Sequence, residues 1–208
     1  MQKIKIIDNF LDNEDLKVLV SSINQDNTNE IKVFHNKIDS NNKILESSLD
    51  KEFIIKLQNK YYPKALKILE EISPEKVKLY DYSDFTLILT DKNKKFPIHD
   101  DTPDKLLSGV IYLYPEKNSG TKFFDNQKGE NERIIEWKIN RGVFFSRIER
   151  ESWHSYESDG ITNRITLVFN LKTNKIKKVY EIEKKSFLFG FLRYKLNPYI
   201  HRFFGTTI

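Results

Sequence analysis

Ile98-His99-Asp100-Asp101-Thr102, read together with Trp153-His154-Ser155 and Arg164-Ile165-Thr166, is the sequence around which this 208-residue chain is organised. In an extended backbone, residues i and i+2 point the same way, so His99 and Asp101 address one point in space while Asp100 faces away. That geometry selects Asp101 over Asp100 as a metal ligand. His154 lies far enough along the chain for several strands to intervene, and it reaches the same point from elsewhere in a sheet. Two His and one carboxylate on one face of an octahedron leave the opposite positions open, the arrangement by which mononuclear non-haem iron oxygenases take up a co-substrate and O2.

Arg164 opens a strand in which Arg164, Thr166 and Val168 share one face while Ile165, Leu167 and Phe169 share the other. A guanidinium turned into an apolar interior needs a carboxylate, because an unpaired buried charge is costly, and a bound dicarboxylic acid would supply one. Tyr112, in Ser108-Gly109-Val110-Ile111-Tyr112-Leu113-Tyr114, is a candidate donor to the same carboxylate from a neighbouring strand. A lone His-x-Asp is common by chance. The weight lies in the combination with a distant His and with an Arg that opens a strand ten residues later.

Composition supports one domain with a packed core. Aromatic residues make up 13% of the chain and Gly and Pro are scarce, at 7 and 6. No cysteine is present, which excludes disulfides, thiolate metal sites and thiol nucleophiles, so any metal is held by His and carboxylate. The formal charge of +5 is concentrated in residues 175–208, where eight Lys and Arg stand against two Glu. The basic character therefore belongs to a tail, and a specific nucleic-acid signal is lacking. The N-terminal stretch has no signal-peptide pattern and no uncharged run is long enough to cross a bilayer, which places the expected location in the cytoplasm.

Residues 3–10 read as a strand, and Asp12-Asn13-Glu14-Asp15 offers a cap and first-turn acids to a helix through Leu16, Val18, Leu19 and Ile23. Residues 24–30 read as a polar turn and Val33-Phe34-His35 as a short strand. Asp50 caps a helix over 51–61, and Pro63 suits the start of a separate helix through Leu66, Ile68, Leu69 and Ile72. Strand-length β-branched and aromatic runs then follow one another at 77–82, 85–90, 106–114, 121–124, 133–139, 143–146 and 164–171. His99 falls in a loop of this scheme and His154 in a turn. The expected fold is mainly β with N-terminal helices (α+β), an antiparallel sandwich or barrel buttressed by those helices. Residues 186–204 are aromatic and basic, with Leu188, Leu192, Leu196, Tyr199 and Phe203 near one helical face, although Gly190 and Pro198 weaken a helix.

The run Phe96-Pro97-Ile98-His99-Asp100-Asp101, with Ser108-Gly109-Val110-Ile111-Tyr112-Leu113, Ser119-Gly120-Thr121-Lys122-Phe123-Phe124, Arg141-Gly142-Val143-Phe144-Phe145, Trp153-His154 and Arg164-Ile165-Thr166-Leu167, resembles the prolyl-4-hydroxylase-like branch of the Fe(II)/2-oxoglutarate-dependent dioxygenases. The resemblance implies a double-stranded β-helix (jelly-roll, cupin-like) core with iron at its mouth. It implies His99, Asp101 and His154 as iron ligands, and Arg164, Tyr112 and Thr166 as the residues that bind 2-oxoglutarate. Two departures stand out: Leu89 where many prolyl hydroxylases carry a Tyr ahead of the first His, and Ser119-Gly120 in place of a Gly-Gly pair.

The implied activity is a dioxygenase that uses Fe(II), 2-oxoglutarate and O2 to hydroxylate a C–H bond of a small-molecule or polypeptide substrate, with release of succinate and CO2. Trp153, Asp100, Thr102 and Phe123 are candidate substrate-pocket residues. The alternative is a cupin-like metal or small-molecule binding protein without turnover. In domain terms, residues 1–174 form a single oxygenase domain, with 1–75 as helical support and 76–174 as jelly-roll core. Residues 175–208 form a basic aromatic extension that either covers the body itself or docks on a partner, a second copy or an anionic surface.

Overall fold

The computed structural model describes residues 3–24 and 30–204, the last eight of these by backbone alone. Twelve strands appear among them: β1 (Ile4–Ile7), β2 (Ile31–Phe34), β3 (Lys37–Asp39), β4 (Ile44–Glu46), β5 (Tyr82–Thr90), β6 (Lys95–His99), β7 (Lys105–Tyr114), β8 (Thr121–Phe124), β9 (Arg133–Ile135), β10 (Gly142–Phe145), β11 (Trp153–Glu157) and β12 (Arg164–Lys172). Four α-helices accompany them: α1 (Asn13–Ser21), α2 (Lys51–Ile72), α3 (Ile176–Ile182) and α4 (Phe187–Phe204). A large sheet runs β1-β10-β7-β12-β5-β3-β4, with β2 also paired to β5, and a smaller sheet runs β6-β11-β8-β9. Every pairing is antiparallel.

Strand alternation divides the large sheet into two environments. On β12, Ile165, Leu167, Phe169 and Leu171 join Leu87 and Phe85 of β5 and Ile111 and Leu107 of β7 in the main core. Ile54, Leu57, Tyr61, Ala65, Ile68 and Leu69 of α2 close that core from outside. The opposite face of the same strands looks toward the smaller sheet. There Arg164, Thr166, Val168 and Asn170 stand in a row, two residues apart.

Several local expectations change. Residues 51–72 form one helix with Pro63 inside it. The buried face runs in register across Pro63, from Leu57 and Tyr61 to Ala65 and Ile68, and its burial outweighs the hydrogen bond that proline removes. In place of a strand over 77–82, Pro74–Leu79 is a 3-10 helix, because Pro74 presets a helical first turn and β5 starts only at Tyr82. The strand expected to reach residue 139 ends at Ile135, and Trp137 leaves it to stack on Tyr112. His99 and His154 both lie in strands.

The region expected as helical support also contributes β1 to β4 to the large sheet. Residues 25–29 of the expected polar turn lie outside the described residues. The C-terminal segment is helical through Gly190, which has a structural reason: a Cβ there would stand 2.2 Å from the Tyr180 ring, so glycine lets α4 lie directly on α3. Leu188, Leu192 and Leu196 of α4 point outward at 63%, 49% and 49% exposure, so this stripe does not cover the body. The side chains of Tyr199 and Phe203 lie outside the described residues. No helix among the described residues is long and apolar enough to cross a membrane.

Candidate functional site

The smaller sheet brings the two histidines together. β6 and β11 pair so that His99 and His154 stand opposite each other, with ring centroids 4.2 Å apart. Asp101 follows directly on β6, and one ligand atom from each of His99, Asp101 and His154 lies within 4.8 Å of the other two. Each imidazole is oriented by a backbone carbonyl two residues earlier. The His99 Nδ1–H donates to the Pro97 carbonyl at 3.0 Å, and the His154 Nδ1–H donates to that of Ser152 at 2.9 Å. A carbonyl only accepts, so each ring carries a proton on Nδ1, which leaves Nε2 as the atom available to a metal.

Electrostatics suit a cation. Burial, followed by repulsion from His154, pushes His99 down to about 3, so its ring is neutral at physiological pH. Burial by itself would raise the Asp101 carboxyl, but Lys105 and the two imidazoles hold it well below the usual carboxylate range. Lys105 Nζ donates to Asp101 Oδ1 at 2.5 Å, and the Ser108 hydroxyl donates to Oδ2. An ionised carboxylate offers about four lone-pair sites, so these two donors orient the group and leave room for an ion.

The triad opens onto a cavity of about 250 Å³ between the two sheets. Its walls include Ile31, Val33, Ile88, Phe96, Val110 and Val168. Arg164 also lines it, 2% exposed, with its guanidinium carbon 4.4 Å from the Tyr156 ring centroid and 5.0 Å from that of Trp137. Its one hydrogen bond among the described residues runs from Nη1 to the Ser119 carbonyl at 3.3 Å, and Nε has no partner. No ion pair reaches it among the described residues, and burial lowers its pKa. This is a desolvated cation facing a cavity, with donor capacity left over for a carboxylate placed there.

Thr166 is buried and lines the same cavity. Tyr112 does not: its hydroxyl donates to Thr121 Oγ1 at 2.8 Å and accepts from the Thr121 N–H at 2.9 Å, and its ring is stacked on Trp137. Nor does the structure bring the four candidate substrate-pocket residues onto the cavity wall. Asp100 turns away and is ion-paired with Arg193, Thr102 is exposed, Trp153 donates from its indole to the Arg150 carbonyl, and Phe123 packs edge-on against Phe145. Lys105, Ser108, Tyr156 and Asn170 were not singled out from sequence. Counting by twos from Arg164 reaches Asn170, which is buried with its Oδ1 unbonded among the described residues. Counting by twos from His154 likewise reaches Tyr156 on β11, whereas Lys105 and Ser108 sit on β7 and have no comparable signal.

No protein-family model matches the chain, and no curated protein matches it in sequence. Solved structures do match in three dimensions. A prolyl-4-hydroxylase from Pseudomonas putida aligns with a TM-score of 0.52 at 14% identity, covering 84% of this chain and 94% of its own. An oxidoreductase of the 2OG-Fe(II) oxygenase family from Burkholderia pseudomallei gives 0.54 at 14%, covering 81% and 84%. A Trichoplax adhaerens prolyl hydroxylase, solved with a hypoxia inducible factor peptide fragment, gives 0.54 at 13%, covering 86% and 87%. At such identities the likeness establishes a shared fold: mainly β, in antiparallel sheets, as in the 2OG-Fe(II) oxygenases.

Proposed function

We propose that this protein is an Fe(II)- and 2-oxoglutarate-dependent dioxygenase that hydroxylates a C–H bond and releases succinate and CO2. The two sheets are then the halves of a double-stranded β-helix. Arg164 is the observation that carries the reading: a buried guanidinium without an ion-pair partner among the described residues, in the same cavity as a His-Asp-His triad. The alternative, a cupin-like metal or small-molecule binding protein without turnover, does not require an arginine at this place, and an assay of turnover separates the two.

In this reading His99 and His154 hold iron through Nε2 and Asp101 holds it through a carboxylate oxygen, while Lys105 and Ser108 fix the carboxylate's orientation. Bound iron supplies the O2 activation that side chains lack. Arg164 would bind the distal carboxylate of 2-oxoglutarate, with its guanidinium already held against the Tyr156 and Trp137 rings so that little side-chain freedom is lost on binding. Thr166 offers a hydroxyl on the same strand face. Ile88, Val110 and Val168 give the same cavity an apolar wall, which disfavours water against it.

The test is spectroscopic. Anaerobic Fe(II) with 2-oxoglutarate should produce a visible metal-to-ligand charge-transfer band in the wild type, and His99→Ala or Asp101→Ala should abolish it. Retention of the band in both variants would remove these residues from the metal site. Succinate formation from 2-oxoglutarate under air, dependent on Fe(II), then separates turnover from binding alone.

A further inference from the structure

Behind the ligands lies a second, fully charged cluster. Asp100, between two candidate ligands, has a side chain only 1% exposed and accepts from both Arg193 guanidinium ends, Nη1 at 2.8 Å and Nη2 at 2.7 Å. The Arg193 Nε donates to Glu149 Oε1 at 2.7 Å. Glu149 also pairs with Arg147, Arg147 pairs with Glu183 at 2.6 Å, and Glu183 pairs with Lys76 at 2.8 Å. Three cations and three carboxylates thus balance, and the interior members have side chains 0–6% exposed.

This cluster grips both ligand-bearing segments. Arg147 Nε donates to the main-chain carbonyl of Asp101 at 3.1 Å, and the Arg150 N–H donates to the Asp100 carboxylate at 2.8 Å. The first segment carries His99 and Asp101; the second, through residues 149–152, leads into β11 and His154. Arg193 sits on α4 and Glu183 caps α3, so two of the six charged groups of the clamp come from the C-terminal helices. Two side chains reach both segments at once: Arg147, through the Asp101 main-chain carbonyl and Glu149, and Arg193. Arg193 alone of the two grips the side chain of Asp100 with both Nη groups while its Nε holds Glu149, a use of the forked planar guanidinium that a lysine cannot match.

We infer that Arg193 is a positioning residue for the metal site: through Asp100 and Glu149 it fixes the distance between the His99–Asp101 arm and the His154 arm, and the C-terminal helices are thereby part of the machinery for metal binding. The inference rests on reading His99, Asp101 and His154 as ligands. Outer residues that orient ligands typically alter metal affinity about 10–100-fold when removed, because the ligands must then pay for their own ordering on binding.

The experiment measures Mn(II) affinity of the full-length protein by titration calorimetry, well below the unfolding temperature, with near-ultraviolet circular dichroism as a check on packing. Arg193→Ala should bind Mn(II) about tenfold more weakly than wild type. Arg193→Lys, which keeps the charge but not the fork, should fall between them. Ile38→Val, a core change on β3, should lower stability and leave affinity unchanged, which separates positioning from general loosening. If Arg193→Ala does not fold, Asp100→Asn removes the same ion pair with little change in shape and should show the same loss. Affinity within twofold of wild type in whichever variant folds would overturn the inference. His154→Ala binding as tightly as wild type would instead overturn the ligand assignment beneath it.

Discussion

At the scale of single residues, Arg164 carries opposite consequences for stability and binding. Burying a guanidinium without a carboxylate costs free energy, and replacing it with an apolar side chain of similar length removes that cost. Arg164→Met should therefore raise the unfolding temperature of the ligand-free protein while weakening 2-oxoglutarate binding to the Mn(II)-loaded protein by about 2–5 kcal/mol, as for truncation of a buried charge pair. Calorimetric titration and thermal melts on the same samples check both halves; a variant that is less stable and still binds would refute the assignment. The triad and Arg164 were legible because a period of two fixes what shares a strand face, and the same count reaches Asn170. Arg193 was not legible: its bond to Asp100 joins residues 93 apart in sequence, and no local pattern encodes which surface of a helix meets which loop.

The apolar period of α1 and of both halves of α2 was legible, whereas the continuity of α2 through Pro63, the 3-10 helix at Pro74–Leu79, α3 and the junctions between helices were not. Asp15, in the first turn of α1, is the main example. It is wholly buried, accepts from Tyr61 at 2.6 Å and Lys60 at 2.7 Å on α2, and pairs with Lys56 at 2.7 Å. Sequence marks it only as a first-turn acid, yet it fastens α1 to the helix that closes the core. Burial by itself would raise its pKa, but the hydrogen bonds from Lys56, Lys60 and Tyr61 prevail and lower it from 3.8 to about 2. A carboxyl with a depressed native pKa stabilises the fold fully above its unfolded value of 3.8, and that contribution is lost as pH falls toward 2. Its size is about 2 kcal/mol. Asp15→Asn should be less stable than wild type by roughly that amount at pH 7, and the two should converge between pH 4 and 2 in urea unfolding. A constant gap across that range would show that shape, not charge, holds the junction.

Considered as a whole, the molecule is two sheets whose shared interior is polar at the site and apolar elsewhere. His99 and His154 belong to the smaller sheet, while Ser108, which orients Asp101, and Arg164 belong to the larger one. A metal held by the triad and a dicarboxylic acid reaching from it to Arg164 would therefore tie the sheets together across the cavity. Ligands that bind only the folded state stabilise it by RT ln(1 + [L]/Kd), about 2.7 kcal/mol at a hundredfold excess over Kd. For a chain of this size that corresponds to a rise of about 5–10 °C in unfolding temperature. Mn(II) alone should raise the melting point of the wild type, and adding 2-oxoglutarate should raise it again. In His154→Ala both increments should vanish, because in the proposed chemistry 2-oxoglutarate would bind through the metal that the triad holds. Arg164→Met should keep the first increment and lose most of the second. A 2-oxoglutarate increment that persists without metal would mean that the acid binds Arg164 independently of the triad, and would separate the two halves of the site that the proposed chemistry needs to be one.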